Sequence, residues 1–452
     1  MNLEKYTSEF KNNLKLATPV MIGSLGHLLV GLIDDIMVGR LGPVELAATS
    51  LGNSIVFIAL SIGIGFSFAI TPLLAESDSE GDENKGRLIF QHGLLLTTIM
   101  GVVMFVFLFF LKPILYHLNQ PEEVVVLAIP YYEIIAFSMI PLMIFQGFKQ
   151  FTDGLSQTKY AMYATIVANI INVVLNFALI YGLWIFPRLE LVGAAIGTLI
   201  SRVAMVFFIY IVLANKEKFK PYLIRLKFNE IKKEVLKKIV NLGFPTALQM
   251  LFEVGLFAAS VLLAGTYGAF SQAANQIALK LASTTFMIAV GIGVAATVRV
   301  GNQKGLKNYV ELRRIAFSNF ILVFFMMSMF SVGFLLLKDI LPLAFTDNLE
   351  VIQIASSLLI VAALFQLSDG IQAVVLGGLR GLQDVNIPSL LTFMAYWVIG
   401  FPVCYYLGTI LKMESLGIWI GLLTALTSSA VMLFFRFNYL TNKLIHKNNG
   451  TT

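Results

Sequence analysis

Twelve stretches of this chain stay apolar for about 20 residues or more, long enough to cross a ~30 Å hydrocarbon core as a helix. They run over 16–39, 47–74, 88–111, 127–148, 160–183, 191–213, 240–266, 274–298, 315–337, 354–379, 387–409 and 415–436. A lipid-embedded backbone must satisfy its own hydrogen bonds, which leaves helices or closed barrels. The ~10-residue alternating segments of a barrel are absent from these runs. The expected fold is therefore an all-α integral membrane protein with twelve transmembrane helices. Composition agrees: 13% of residues are charged, where a soluble domain carries roughly 25%, and the mean hydropathy is +0.82.

Charge placement sets the orientation. The tails and even-numbered connections hold 25 of the 32 Lys and Arg, and the odd-numbered connections hold only Arg40, Lys112, Arg188, Lys338 and Lys412. By the positive-inside rule both termini should be cytoplasmic. Because the basic residues sit in particular loops, the net charge of +6 is no sign of nucleic-acid binding. The polar segment 1–15 lacks a short apolar core and cleavage site, so the first helix serves as signal and permanent span. Cys404, the single cysteine, lies within a span and reads as a small buried hydrophobe.

The spans fall into two similar halves. Leu16-Ala17-Thr18-Pro19 matches Leu242-Gly243-Phe244-Pro245, Gly39 matches Gly265, and Ala47-Ala48 matches Ala273-Ala274. Ile62-Gly63-Ile64-Gly65 matches Val290-Gly291-Ile292-Gly293, and Gly154-Leu155 matches Gly381-Leu382, at offsets of 226 to 228. Six spans per repeat insert both halves the same way round. Two six-helix bundles should then be related by a pseudo-two-fold axis along the membrane normal. The expected division is an N-lobe over 1–213, a basic cytoplasmic linker over 214–239 and a C-lobe over 240–452. The linker carries nine Lys and Arg between Lys216 and Lys238. It has the pattern of an interfacial amphipathic helix, read as a solvated connector, with a lipid-headgroup site as the sharper alternative.

Asp34, Glu253 and Asp369 lie inside spans. An ionisable group there costs several kcal/mol and commonly marks a path for ions, protons or charged substrates. Helical spacing gives each acid polar company. His27, Gly31 and Asp34 share a face of the first span, as do Thr246, Gln249, Glu253 and Ser260 in the seventh. Gln366, Asp369 and Gln372 share one in the tenth, and Asn169, Asn172 and Asn176 form an amide stripe in the fifth. In the sixth, Thr198 lies four residues from Ala194 and from Arg202. Taken singly, the amides and hydroxyls suit helix-to-helix hydrogen bonding equally well. Arg202 reads as a fixed counter-charge or as a snorkelling side chain. Oxygen-rich clusters suit hard cations, and Asp34, Asn172, Asn176 and Thr198 supply carboxylate, amide and hydroxyl oxygens. Burial favours the neutral form of any carboxyl, so these residues permit Na⁺ or H⁺ coupling alike. Asp35 lies about 100° round the helix from Asp34, which makes Asp34 the acid that faces the stripe.

No phosphate loop or HExxH occurs, and His27, His92, His117 and His446 are scattered. The expectation is a non-enzyme with no cofactor, working as a monomer.

The whole chain resembles the multidrug and toxic compound extrusion (MATE) family, most closely its NorM-like bacterial branch. The resemblance covers 10–438. It rests on Leu16-Ala17-Thr18-Pro19, Asp34 with Met37-Val38-Gly39, and Ala47-Ala48. It continues with Gly243-Phe244-Pro245, Phe252-Glu253-Val254, Ala273-Ala274-Asn275-Gln276, Arg299-Val300-Gly301, Leu379-Arg380-Gly381 and Tyr396-Trp397. It implies a V-shaped pair of six-helix bundles that exports organic cations and drugs in exchange for Na⁺ or H⁺. It also implies an N-lobe cation site at Asp34 with Asn172, Asn176, Thr198 and the Ala194 carbonyl, and a C-lobe site at Glu253 and Asp369. Two positions depart from the family pattern. Asn176 stands where many relatives carry an acid, and Asp153-Gly154 stands where an Arg-Gly is common. The function expected is a cation-coupled secondary antiporter for small organic cations. The rivals are a lipid-linked oligosaccharide flippase, which would favour a basic cavity, and an uncoupled channel or receptor.

Overall fold

The computed structural model describes residues 4–118, 120–183, 185–224 and 230–449, with backbone alone for 448 and 449. Twelve helices among the described residues are long and apolar enough to span a bilayer: Phe10–Gly39, Pro43–Glu80, Glu83–His117, Glu122–Gly154, Lys159–Tyr181, Glu190–Ala214, Lys233–Gly265, Ala269–Gly305, Tyr309–Leu337, Leu349–Gly381, Asn386–Ile410 and Glu414–Lys447. Each expected window coincides with one of them. Most helices run several residues past the apolar window because caps, not hydropathy, end them. Asp82 caps the third span by accepting the Lys85 N–H at 2.9 Å, and Asn308 caps the ninth by accepting the Glu311 N–H at 3.2 Å. Just before these caps, Gly81 and Lys307 take left-handed backbone, at φ 73° and 57°.

Three spans are interrupted. The second divides into Pro43–Ser67 and Ile70–Glu80, and the fourth into Glu122–Phe137 and Met139–Gly154 about Ser138. The eleventh carries wide π turns over Met394–Gly400 and Tyr406–Ile410 on either side of Pro402, which has no N–H to close an ordinary turn.

The chain forms two compact units, 22–247 and 1–21 with 248–452. The boundaries thus differ from the expected division at the linker. They fall inside the first and seventh spans, two residues beyond Pro19 and Pro245 in each case. The physical reason lies at the start of the chain. Ala17 and Met21 are packed in one apolar core with Ala289, Ile292 and Val374. The carboxylate of Glu9 also accepts from Arg299 at 2.6 Å and Arg314 at 2.8 Å, while Asn13 donates to Ser318 at 3.0 Å.

The unit over 22–247 closes round Phe90, Phe151, Tyr132 and Phe219. Phe219 and Tyr222 come from the linker, where Glu217–Leu223 forms a tight 3-10 turn with Pro221 inside it. Burial of these two aromatic residues ties that part of the linker down, so the expected interfacial helix does not form there. Residues 225–229 of that segment lie outside the described residues, and Lys233 already begins the seventh span. The other unit has two cores, one around Trp419, Phe365 and Tyr396 and one around Phe437 and Phe320.

Contacts inside each unit repeat. Thr71 donates through Oγ1 to the Gln150 carbonyl at 3.1 Å, and Thr297 donates to the Gly377 carbonyl at 2.9 Å. A Cβ on Gly154 would lie 3.0 Å from the Thr71 carbonyl oxygen, and one on Gly381 would lie 2.8 Å from that of Thr297. These pairs fix an offset of 226 to 227. They align Gly293 with Ser67, which accepts from the Gln150 amide at 3.3 Å, so the Ile62–Gly65 run is not the structural partner of Val290–Gly293. Glycines four residues apart bring helices together at the outer pair of each half. Cβ atoms on Gly193 and Gly197 would strike Leu179 and Asn176, and those on Gly417 and Gly421 would strike Gly408 and Cys404.

Candidate functional site

The polar ladder in the unit over 22–247 is built by three helices. The fifth span is unbroken from Lys159 to Tyr181, which stacks Asn172 and Asn176 one turn apart on one face. Gly26 of the first span lies against Asn169, where a Cβ would sit 3.1 Å from its amide nitrogen. Asn176 Nδ2 donates to Asp34 Oδ1 at 2.7 Å and to Asn172 Oδ1 at 3.3 Å, and Asn172 Nδ2 donates to Thr198 Oγ1 at 3.3 Å. Four of the expected residues therefore form one connected chain. Asn172 and Asn176 are buried, whereas Asp34 and Thr198 are half-buried. Asp35 and His27 are exposed on the same helix. Ala194 is buried four residues before Thr198; its carbonyl serves the helix's own ladder, leaving one lone pair for a further ligand.

Two participants were not assigned a role from sequence. Gly197 is one: a Cβ there would lie 1.9 Å from Asn176 Oδ1, so only glycine lets that amide stand in place. The Gly193/Gly197 spacing was the available signal. Arg202 is the other. Its Nη1 donates to Ser138 Oγ at 2.6 Å, at the interruption of the fourth span, and its charge interacts with Asp34. Of the two readings open for Arg202, this geometry matches the fixed counter-charge.

The second group of acids lies in the other unit. Glu253 and Asp369 interact electrostatically with each other, and Glu253 with Arg380. Arg380 donates through Nη2 to Gln249 Oε1 at 3.2 Å, and the Gln249 amide donates to Thr392 at 3.3 Å. Gln366 accepts from Thr285 at 2.7 Å. Gln372 is fully buried, with neither end of its amide hydrogen-bonded among the described residues. Trp397 braces the backbone beside Glu253 by donating to the Phe252 carbonyl at 3.2 Å. Glu253 occupies the position that His27 holds in the first repeat, and Ser260 the position of Asp34, both at an offset of 226. The repeats thus place their acids at different depths. Asp153, the position at which the resemblance implied an Arg, is buried and paired with Lys149 at 2.8 Å.

The MatE family model matches residues 19–178 and 245–406, once in each repeat. A multidrug resistance protein NorM of Photobacterium profundum is 31% identical over 97% of both chains. A probable NorM of Bacillus anthracis is 32% identical over 98% of this chain and 99% of its own. In fold the chain is similar to the eukaryotic MATE transporter AtDTX14, with a TM-score of 0.89, 19% identity and coverage of 98% and 99%. With both repeats matched and the relatives aligned end to end, the chain belongs to the MATE family of multi-pass membrane transporters, on its NorM-like branch.

Proposed function

We propose that the protein is a secondary antiporter, which exports small organic cations from the cytoplasm in exchange for Na⁺ or H⁺. The observation that carries this reading is the ladder Asp34–Asn176–Asn172–Thr198, a carboxylate held inside a span by neutral oxygen and amide groups. A cation reaching Asp34 competes with the Asn176 amide for the carboxylate and gains the hydroxyl and carbonyl oxygens beside it. Glu253 and Asp369 form the second cation-responsive site, with Gln249, Gln366 and Gln372 as its polar support. Their mutual repulsion is relieved when a cation or proton arrives. Ion binding at either acid group then shifts the transporter away from its substrate-loaded state by differential affinity, which is all that coupling requires. The names of the NorM relatives support multidrug export. Both termini lie on the cytoplasmic side of a bacterial plasma membrane.

The test uses proteoliposomes. Ethidium movement is followed under an imposed Na⁺ gradient, then under a pH gradient alone, for the wild type, Asp34→Asn and Glu253→Gln. Uphill movement that needs one gradient and falls at least tenfold in a variant supports antiport and names the coupling ion. A wild type that carries ethidium only downhill refutes it.

A further inference from the structure

An ion pair in the unit over 22–247 stands on its lipid-facing side. Lys112 Nζ donates to Glu133 Oε1 at 2.6 Å, and the two side chains keep 32% and 37% of their surface exposed. The α-helix of the third span ends at Leu111, and Pro113 follows within a 3-10 turn, so Lys112 stands at the end of the apolar run. In the orientation argued above, that end is the outer one. The bond uses one of the three ammonium N–H groups and one of the two carboxylate oxygens. Neither group makes a further hydrogen bond among the described residues. The other N–H groups and the second oxygen are open to a ligand.

Beside the pair is a groove of about 240 Å³, lined by Phe105 and Phe109 of the third span, Glu133, Ile134 and Phe137 of the fourth, and Leu199 of the sixth. Phe105 meets Phe137 edge to face at 5.4 Å and Phe109 at 6.0 Å, and the Lys112 ammonium lies 5.3 Å from the Phe109 ring centre. Phe109 and Phe137 are 44% and 47% exposed, so the groove opens toward lipid. Its walls are fixed. The Tyr132 hydroxyl donates to the Leu108 carbonyl at 2.8 Å, and a Cβ on Gly101 would lie 3.1 Å from the Ile140 backbone. The second repeat does without the pair. At an offset of 226, Lys338 matches Lys112, but Leu359 takes the place of Glu133, and Ser331, Leu335 and Ala363 take those of the phenylalanines. An acid on a lipid-facing surface is costly even when paired, so packing alone gives no reason for Glu133.

We propose that this groove seats one phospholipid with a primary ammonium headgroup. The lipid phosphate accepts from the open N–H groups of Lys112, the lipid ammonium donates to the open oxygen of Glu133, and one acyl chain lies along the phenylalanines. The four charges then alternate in sign round a ring. A neutral ion pair offers that arrangement to a zwitterion, whereas an anionic headgroup without a cation meets the carboxylate as a like charge. A trimethylated headgroup carries the same charges but has no N–H to give. The groove is smaller than the ~300–1,000 Å³ pocket of a drug-sized ligand, so it suits a length of acyl chain and not a transported drug. The inference stands apart from the export reading, whose acids are Asp34, Glu253 and Asp369.

The test is native mass spectrometry of the full chain, released from detergent with phosphatidylethanolamine, phosphatidylcholine or phosphatidylglycerol of identical acyl chains. Wild-type protein should retain the ethanolamine lipid about tenfold over either of the others, the value of one charge-assisted hydrogen bond. Glu133→Leu, which copies the second repeat, should bring the ethanolamine-to-choline ratio to about one. It should also raise retention of the glycerol lipid, because Lys112 is then an unpaired cation. Equal retention of the three lipids by wild-type protein overturns the proposal. So does a wild-type preference for the glycerol lipid, which would make Lys112 a plain anion contact. An ethanolamine preference that survives Glu133→Leu unchanged overturns it as well, because that lipid then sits elsewhere. Should Glu133→Leu fail to reach the membrane, Glu133→Gln carries the test. It removes the charge and keeps one acceptor, so the ethanolamine-to-choline ratio should fall about threefold or more, and an unchanged ratio overturns the proposal.

Discussion

Replacing Glu9 by Gln should loosen the unit formed by 1–21 and 248–452. The Glu9 carboxylate has 12% side-chain exposure and bridges Arg299, at 15%, and Arg314, at 37%. Its removal leaves two guanidinium groups facing each other round a neutral amide. Breaking a buried ion pair from one side costs ~3–5 kcal/mol, whereas an exposed pair is worth ~0–1. Arg299 is close to the first case and Arg314 to the second, and the glutamine oxygen keeps one hydrogen bond. The expected loss is about 2–3 kcal/mol, or a melting shift of about 4–10 °C for a unit of this size. The assay follows from composition. Cys404 is the one thiol of the chain, 1% exposed and within the same unit. A thiol-reactive fluorogenic dye added during heating therefore reports the opening of that unit, and Cys404→Ala supplies the blank. Scan rate is held fixed because such unfolding is irreversible.

Acidity gives a second check. Burial alone would push the Glu9 carboxyl up, but the hydrogen bond and charge of Arg299, with Asn12 and Arg314, outweigh it and hold the group below its ordinary value of 4.5. A carboxyl with a depressed folded-state value stabilises above the unfolded value, and that contribution is lost as pH falls through the folded one. The gap between wild type and Glu9→Gln should be constant from about pH 5 to 8 and close below about pH 4. A shift under about 1 °C at neutral pH, or a gap that survives acid unchanged, refutes the reasoning.

Two further substitutions probe close approaches. Gly197→Ala would place a Cβ 1.9 Å from Asn176 Oδ1. The amide must turn away and release Asp34 from the donor that competes with the cation, so the coupling-ion concentration for half-maximal ethidium export should fall about tenfold, and an unaltered ion dependence rules the ladder out as the ion's site. Gly377→Ala would place a Cβ 2.3 Å from the Gly293 carbonyl, backbone that cannot rotate aside. It should cost about 3 kcal/mol by overpacking, read as a lower Cys404 melting point, while Gly333→Ala, which meets nothing within 4 Å, leaves it unchanged.

The spans were legible because hydrophobic length is a local property, and the acids were legible because an acid in such a span is rare. Helical spacing also put Asn172 and Asn176 on one face, but it does not say which neighbour that face meets. That is why Ser138, on another helix 64 positions away, was invisible as the partner of Arg202. Gly197 was hidden for the same reason, since its role is to be absent from a place Asn176 needs. The repeat was readable, although similarity alone misaligned Ile62–Gly65 by two residues. Only the recurring threonine-to-carbonyl bond fixes the register. The unit boundaries were unreadable because Pro19 and Pro245 look like ordinary interior residues, and the packing that divides the helices there is set by residues far away in sequence.

Glu9 is synthesised 290 residues before Arg299. At ribosomal rates of about 5–20 residues per second, the leading segment waits roughly 15–60 s for the partners that hold it. During that interval 22–247 can complete its own core, while the first 21 residues have nothing of their own to close on. The beginning of this chain is therefore among the last parts to reach its native place, and any ribosome that stalls before the eighth span is finished leaves a folded unit with a loose leader.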